Sequence, residues 1–116
     1  MKIAIVGSRE FDNYDNLRQV MYRLYPSPEM ITSIVSGGAR GADKLAERFA
    51  AEHGLPVQVF KADWDTWDVR AGYMRNITIV NTADEVVAFW NGKSKGTRHT
   101  IDLAEKNHKL REVVIF

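Results

Sequence analysis

The chain has 116 residues, with 45% hydrophobic and 27% charged side chains, a composition typical of one soluble globular domain. Sixteen basic and fifteen acidic residues leave a formal net charge of +1, which provides no general electrostatic attraction to duplex nucleic acid or to an anionic membrane. The absence of cysteine excludes disulfides and thiolate metal sites, and no apolar run suits a signal peptide or a membrane span, so we expect a cytoplasmic protein.

Five short apolar segments predict the strands of the fold. They are rich in valine and isoleucine and span residues 2–7, 30–36, 56–60, 84–90 and 112–116. Their apolar residues are mostly continuous rather than alternating, which is typical of strands that are covered on both faces in a parallel sheet.

Stretches with helical spacing separate the apolar segments. Apolar residues recur at helical intervals in four groups: Leu17, Val20, Met21 and Leu24; Ala42, Leu45, Ala46, Phe49 and Ala50; Tyr73, Ile77 and Val80 within 70–81; and Ile101, Leu103 and Ala104 within 97–108. This alternation predicts an α/β fold, a single Rossmann-like three-layer α/β/α sandwich over residues 1–116 with a mostly parallel five-stranded sheet.

The loops that follow the strands are the candidate site, because ligands of open parallel sheets bind at the carboxyl ends of the strands. These loops are residues 7–16, 37–43, 61–72 and 91–100, and they contain most of the glycines of the chain. In the first loop, Gly7 ends the strand, and Ser8 and Arg9 follow it. A hydroxyl and a guanidinium can donate to a phosphate, but Ser8 capping a turn beside a solvated Arg9 fits the sequence equally well.

The second loop, SGGARGAD, places three glycines where a strand passes into a helix. Bare backbone at Gly37 and Gly38, followed by a helix N-terminus near Gly41, favours phosphate binding by backbone N–H groups, although a tight turn is the alternative. We expect Asp43 to cap or charge the first turn of the helix. The loop matches neither dinucleotide-binding nor P-loop fingerprints, so no cofactor is predicted.

The last of these loops, NGKSKGTRHT, repeats the same arrangement before another helix. The residues that open this helix are Gly92, Ser94, Gly96 and Thr97, and the basic residues beside them are Lys93, Lys95 and Arg98. Two glycine loops at one edge of the sheet, together with these cations, predict a local basic pocket in a nearly neutral protein.

The third loop contains the stretch DWDTWD at residues 63–68. It lacks the glycine and the distal glutamate of a calcium loop, so we predict no metal. Trp64 and Trp67 can stack on a base or pack against the sheet. Farther along, Arg75 and Asn76 offer fork and amide donors. No Ser-His-Asp set or carboxylate pair has suitable spacing, so catalytic residues remain unassigned.

Taken together, these motifs resemble the SLOG superfamily, which includes the LOG nucleotide phosphoribohydrolases and the DprA fold, and most of all its small YspA-type (YpsA-related) branch. The motifs that carry the resemblance are GSREFD at 7–12, VSGGARGAD at 35–43, ADWD at 62–65, AGYMRN at 71–76, and ADEVVAFWNGKSKGT at 83–97. The resemblance implies that the strand-end loops bind a nucleotide or a nucleotide-derived ligand. It also matches Arg75 to an active-site arginine of the LOG enzymes.

One position departs from the LOG pattern. The LOG enzymes have a catalytic glutamate three residues after the threonine of the last glycine loop, where this chain has Thr100; Asp102 and Glu105 are not at the matching spacing. Cleavage of a glycosidic bond uses a carboxylate to stabilise a cationic centre, so the substitution argues against hydrolysis.

The leading hypothesis is therefore a nucleotide-ligand binding domain that acts as a sensor or a sequestering module. The alternatives are an N-glycosidic hydrolase of a nucleoside monophosphate or an ADP-ribose-type ligand and, less favoured by the charge, a single-stranded nucleic-acid binder. Exposed apolar residues on a helix and the resemblance itself favour a homodimer, with a higher homo-oligomer as the alternative.

Overall fold

The computed structural model describes residues 1–63, 65 and 70–116. Within these residues the strands are β1 (Lys2–Gly7), β2 (Ser33–Ser36), β3 (Val57–Val59), β4 (Glu85–Trp90) and β5 (Leu110–Ile115). The α-helices are α1 (Tyr14–Leu24), α2 (Ala42–Glu52), α3 (Ala71–Thr82) and α4 (Lys95–Lys106), and a 3₁₀ turn spans Pro28–Met30.

The strands form one parallel sheet in the order β3-β2-β1-β4-β5 across the described residues. Chain order runs outward from β1 through β2 to β3, and then from β4 to β5 on the other side. Right-handed crossovers in opposite directions place the connecting helices on opposite faces of the sheet. The predicted α/β/α sandwich with a parallel sheet is confirmed.

Each face of the sheet buries its own apolar cluster. On one face, α1 and α2 cover side chains that include the fully buried Ile3 and Phe89, and Phe11 stacks on Phe89 with ring centroids 4.6 Å apart. On the other face, α3 and α4 cover a second cluster around Val86 and Ala88. Burying one large apolar side chain contributes roughly 1.5–3 kcal/mol, so these clusters fix the positions of the strand ends that carry the site.

Helix α3 differs from the sequence expectation in the face that it presents. Of the three apolar residues that suggested this helix, only Val80 is buried, while Tyr73 is 48% exposed and Ile77 is 39% exposed. The inner face instead uses Ile79 together with the polar Asn76. A polar residue on the inner face means that α3 lies over a polar site as well as over the apolar core.

Candidate functional site

The strand order reverses beside β1, since β2 lies on one side of it and β4 on the other. A cleft of about 610 Å³, called here the first cleft, opens at this point. Its walls come from the end of β1, the loop between β2 and α2, the inner side of α3 and the start of α4. Ligands of open parallel sheets bind at such reversal points, so the first cleft is the candidate site.

The structure brings most of the predicted site residues to this place. The first cleft is lined by nine of them: Gly7, Ser8, Arg9, Asp43, Arg75, Asn76, Ser94, Gly96 and Thr97. Gly37 and Gly38 line an adjoining second cleft of about 500 Å³, whereas Gly41 and Gly92 line neither. Trp64 lies outside the described residues.

Ser8 joins the ends of β1 and β4. Its side chain is buried, its backbone N–H donates to the carbonyl of Phe89 at 2.9 Å, and its Oγ accepts from the backbone N–H of Asn91 at 3.2 Å. Ser8 therefore has a structural role in the turn. Because a hydroxyl both accepts and donates, its own proton is still available to a ligand in the first cleft. Arg9, next along the chain, is exposed and lines both clefts.

The glycine loop between β2 and α2 uses two of its amides within the protein. The N–H of Gly38 donates to Ser36 Oγ at 3.2 Å, and the N–H of Ala39 donates to Asp43 Oδ2 at 3.2 Å. The sequence suggested that this loop presents bare amides to a phosphate. These two N–H groups are already satisfied by side chains, and the loop adds a cation, Arg40, that lines both clefts.

The glycines of this loop let protein segments approach one another. A Cβ at Gly37 would lie 2.8 Å from Asp43 Oδ2, and a Cβ at Gly41 would lie 2.5 Å from the carbonyl oxygen of Ser8. Gly41 also has a φ of +81°, which L side chains rarely adopt. Gly37 and Gly41 thus allow the close approach of neighbouring segments, a reason for these glycines that differs from both the phosphate binding and the tight turn considered from the sequence.

Asp43 is a buried carboxyl in the wall of the first cleft. The N-cap of α2 is Gly41, so Asp43 lies in the first turn and does not cap the helix. Burial raises the pKa of Asp43 to about 6, although the N–H of Ala39 and the nearby Arg75 both favour the charged form. The side chain therefore titrates well above an ordinary aspartate.

Arg75 and Asn76 connect the two glycine loops from α3. Arg75 Nη1 donates to the carbonyl of Gly37 at 2.8 Å, and Asn76 Nδ2 donates to the carbonyl of Gly96 at 3.2 Å. The two side chains also bond to each other, from Arg75 Nε to Asn76 Oδ1 at 3.2 Å. Burial lowers the pKa of Arg75, but a guanidinium remains charged at any physiological pH.

The loop after β4 is held by side-chain caps. Asn91 Oδ1 accepts from the backbone N–H groups of Lys93 and Ser94, both at 2.9 Å. Ser94 is the N-cap of α4, and its Oγ accepts from the N–H of Thr97 at 3.4 Å. At Gly96 a Cβ would meet no atom within 4 Å, so the space beside the start of α4 is open.

Thr100 lines the first cleft one turn into α4 and is buried. Its hydroxyl donates to the carbonyl of Gly96 at 3.2 Å. Asp102 is exposed on the same helix, where it pairs with Arg98 at 3.3 Å. The carboxylates that line the cleft are Asp43 and Glu10, whose Oε1 accepts from the side-chain amide of Asn91 at 3.3 Å.

The basic character of the site differs in part from the sequence expectation. Of the three cations expected from the last loop, only Lys93 lines the first cleft. The loop between β2 and α2 adds Arg40, and Lys61 after β3 lines the second cleft. The sequence could have indicated Arg40 and Lys61 as site residues, since both lie in loops that follow parallel strands.

Comparison with known proteins decides the family. A family model described as the YspA, cpYpsA-related SLOG family matches residues 1–67. The Gene 61 protein of Mycobacterium phage D29 is 37% identical over 115 residues, which cover 90% of this chain and 89% of the relative. The chain belongs to the YspA, cpYpsA-related SLOG family. The resemblance that the motifs indicated is confirmed.

The SLOG chain also shares its fold with a solved structure. DNA processing protein A from Helicobacter pylori, in a structure that concerns its single-stranded DNA binding mode, superposes with a TM-score of 0.65 at 20% identity. The match covers 97% of the SLOG chain but only 64% of the Helicobacter protein. At this identity the likeness shows the fold alone.

Two features are absent from the described residues of the SLOG chain. Among the described residues, no three or more histidine, aspartate or glutamate side chains are grouped so that they could hold a metal ion. The same part of the chain contains no helix with the length and apolar character needed to cross a bilayer.

Proposed function

We propose that this SLOG chain binds a nucleotide or nucleotide-derived anion in the first cleft, as a sensor or a sequestering module. The observation that carries the proposal is the convergence of Arg9, Arg40, Arg75 and Lys93 on one cleft at the reversal of strand order. Among the described residues, two acidic side chains line the same cleft, so this part of its lining has an excess of positive charge in a chain whose net charge is only +1.

The start of α4 supports the same ligand class. Helix N-termini favour negative charge, and the space beside Gly96 is open for a phosphate to approach. Ser94 and Thr97 supply hydroxyls at this wall. Hydroxyls suit the ribose of a nucleotide, whereas guanidinium groups suit its phosphate.

Arg75→Ala should weaken nucleotide binding by about 1.5–3 kcal/mol, the range for a hydrogen bond to a charged group. Arg75→Lys should recover only part of this, since one ammonium cannot reproduce a planar fork. The measurement is isothermal titration of AMP, GMP, CMP, UMP, ADP-ribose and a thymidine oligonucleotide into each protein.

Arg98→Ala is the matched control, because Arg98 is an exposed arginine that pairs with Asp102 and does not line the first cleft. It should bind like the unmodified protein. Equal affinities in the unmodified protein and both Arg75 variants would place Arg75 outside the site. If no ligand in the panel bound to the unmodified protein, the proposed function would be overturned.

Hydrolysis of the bound nucleotide is not expected. Thr100 presents a neutral hydroxyl to the cleft, and that hydroxyl already donates to the carbonyl of Gly96. A neutral group at this position cannot supply the negative charge that stabilises an oxocarbenium-like centre, and the described carboxylates of the cleft, Glu10 and Asp43, lie outside α4. Incubation with the four nucleoside monophosphates and ADP-ribose should release no free base on chromatography. Rapid release by the unmodified protein would establish the hydrolase instead, and release gained only by Thr100→Glu would support the proposed loss.

Single-stranded DNA is the second candidate ligand, and the fold likeness to the Helicobacter protein is the observation that favours it. A strand-tracking protein needs an extended basic groove with stacking aromatic side chains. The first cleft contains cations but no aromatic side chain among its described lining residues. Binding of the thymidine oligonucleotide in preference to every mononucleotide would make DNA the ligand.

A further inference from the structure

The first and second clefts share a wall of cations. Arg9, Arg40 and Arg75 line both, together with Ala39, so the two clefts meet along these residues. Their volumes are about 610 Å³ and 500 Å³. A ligand that is bound in the first cleft and reaches the shared wall could therefore extend into the second cleft.

The two clefts differ in charge. Glu10 and Asp43 line the first cleft, whereas the described residues that line the second include no aspartate or glutamate. The second cleft adds a further cation, Lys61, to the shared arginines. A single phosphate on the shared wall would leave Lys61 without an anionic group among the described residues of its own cleft.

Gly38 makes room for the side chains of Val59 and Lys61. A Cβ at Gly38 would lie 2.9 Å from Val59 Cγ1, 3.2 Å from Lys61 Cγ and 3.8 Å from Lys61 Cε, so the lysine side chain runs beside the bare backbone of the glycine loop. Gly38 has a φ of +74°, and its N–H is bonded to Ser36. The absence of a side chain at Gly38 thus leaves room for two neighbouring side chains, one of which, Lys61, lines the second cleft.

We infer that the second cleft is an anion subsite, and that the ligand has at least two anionic groups, one on each side of the Arg9–Arg40–Arg75 wall. The inference rests on the proposed function and narrows the class of ligand. The ligand is a nucleotide with two or more phosphates, or one with a diphosphate bridge, rather than a nucleoside monophosphate. Lys61 is the residue that distinguishes these classes.

The test is isothermal titration of nucleotides that differ in their number of phosphates. The ligands are AMP, ADP, ATP and ADP-ribose, and the mono-, di- and triphosphates of guanosine, cytidine and uridine. Inorganic phosphate and pyrophosphate are added as probes that carry no nucleobase. The unmodified protein should bind diphosphates at least tenfold more tightly than the matching monophosphate, and pyrophosphate more tightly than phosphate. Lys61→Ala should remove this advantage and leave monophosphate affinity within about twofold. Lys95→Ala, a lysine that lines neither cleft, should change nothing.

Each other outcome counts against a defined statement. Equal affinity for mono- and diphosphates, or an equal loss of both in Lys61→Ala, overturns the second subsite while nucleotide binding in the first cleft stands. If neither the nucleotides nor the two inorganic probes bound, the proposed function and the subsite would both be overturned. Thermal unfolding of Lys61→Ala should match the unmodified protein, because Lys61 is an exposed side chain.

Discussion

Gly96→Leu should abolish nucleotide binding, by a factor of a hundred or more, and leave the fold intact. Gly96 is the second residue of α4 and lines the first cleft, and a Cβ there would meet no atom within 4 Å. A leucine therefore displaces no protein atom, but it fills the space through which an anion reaches the helix N-terminus. Leucine is also more favourable in a helix than glycine by roughly 0.5–1 kcal/mol, so the melting temperature should stay equal or rise.

Lys95→Leu is the matched control for this variant. Lys95 precedes Gly96 in the same helix, is exposed, and lines neither cleft. The same apolar side chain one residue away should leave titration with the preferred nucleotide unchanged. If Gly96→Leu bound the ligand within about threefold of the unmodified protein, the ligand would not approach the start of α4.

Asp43→Asn should make the protein more stable at pH 8. The pKa of Asp43 is raised from 3.8 in the unfolded chain to about 6 in the folded protein, chiefly by burial. At a pH between these two pKa values, Asp43 is protonated in the folded state and ionised in the unfolded state. The free energy of unfolding therefore falls as the pH rises from about 4 to 6. Above pH 6 the buried charge costs about 3 kcal/mol, at 1.36 kcal/mol for each pKa unit. Asparagine removes the charge but keeps an oxygen for the N–H of Ala39.

Urea unfolding at pH 4, 6 and 8 measures this effect. Asp43→Asn should gain stability relative to the unmodified protein at pH 8, and the difference should shrink toward pH 4. Asp102→Asn, which neutralises an exposed carboxylate, should keep the pH dependence of the unmodified protein. A less stable Asp43→Asn at pH 8 would mean that the attraction of Asp43 to Arg75 outweighs the cost of its burial.

A carboxylate that destabilises the fold at neutral pH points to a role in the site. Asp43 accepts from the N–H of Ala39, and it flanks Gly37 together with Arg75. In this position it partly balances the arginines while the cleft is empty. Its pKa should rise further when an anion binds beside it, so ligand binding should take up protons near pH 6–7.

The architecture and the position of the site were predictable from the sequence for physical reasons. Strands that are covered on both faces appear as continuous apolar runs, and parallel connectivity brings the loops that follow them to one edge. This is why Ser8, Asp43 and Gly96 could be expected in one place before any distance was known. The order of the motifs along the chain was equally sufficient to identify the family.

The contacts between these loops were not predictable. Arg75 bonds to the carbonyl of Gly37, 38 residues earlier in the chain, and no local pattern specifies a pairing at that distance. The bare backbone at Gly37 and Gly38 favoured phosphate binding, with a tight turn as the alternative. In the structure, Ser36 accepts from the N–H of Gly38, and Asp43 accepts from the N–H of Ala39. Whether a polar group serves a ligand or the protein depends on its neighbours in space, which sequence spacing does not give.

The internal bonding of the site also has a consequence for the entropy of recognition. The walls of the first cleft are joined by Arg75 and Asn76, and the caps supplied by Asn91 and Ser94 fix the turn after β4 before any ligand arrives. Because the site is preorganised, ligand binding orders few additional backbone torsions. The loss of conformational entropy therefore offsets little of the enthalpy of the hydrogen bonds to the ligand. Binding should therefore proceed as rigid docking, without a slow folding phase in the association kinetics.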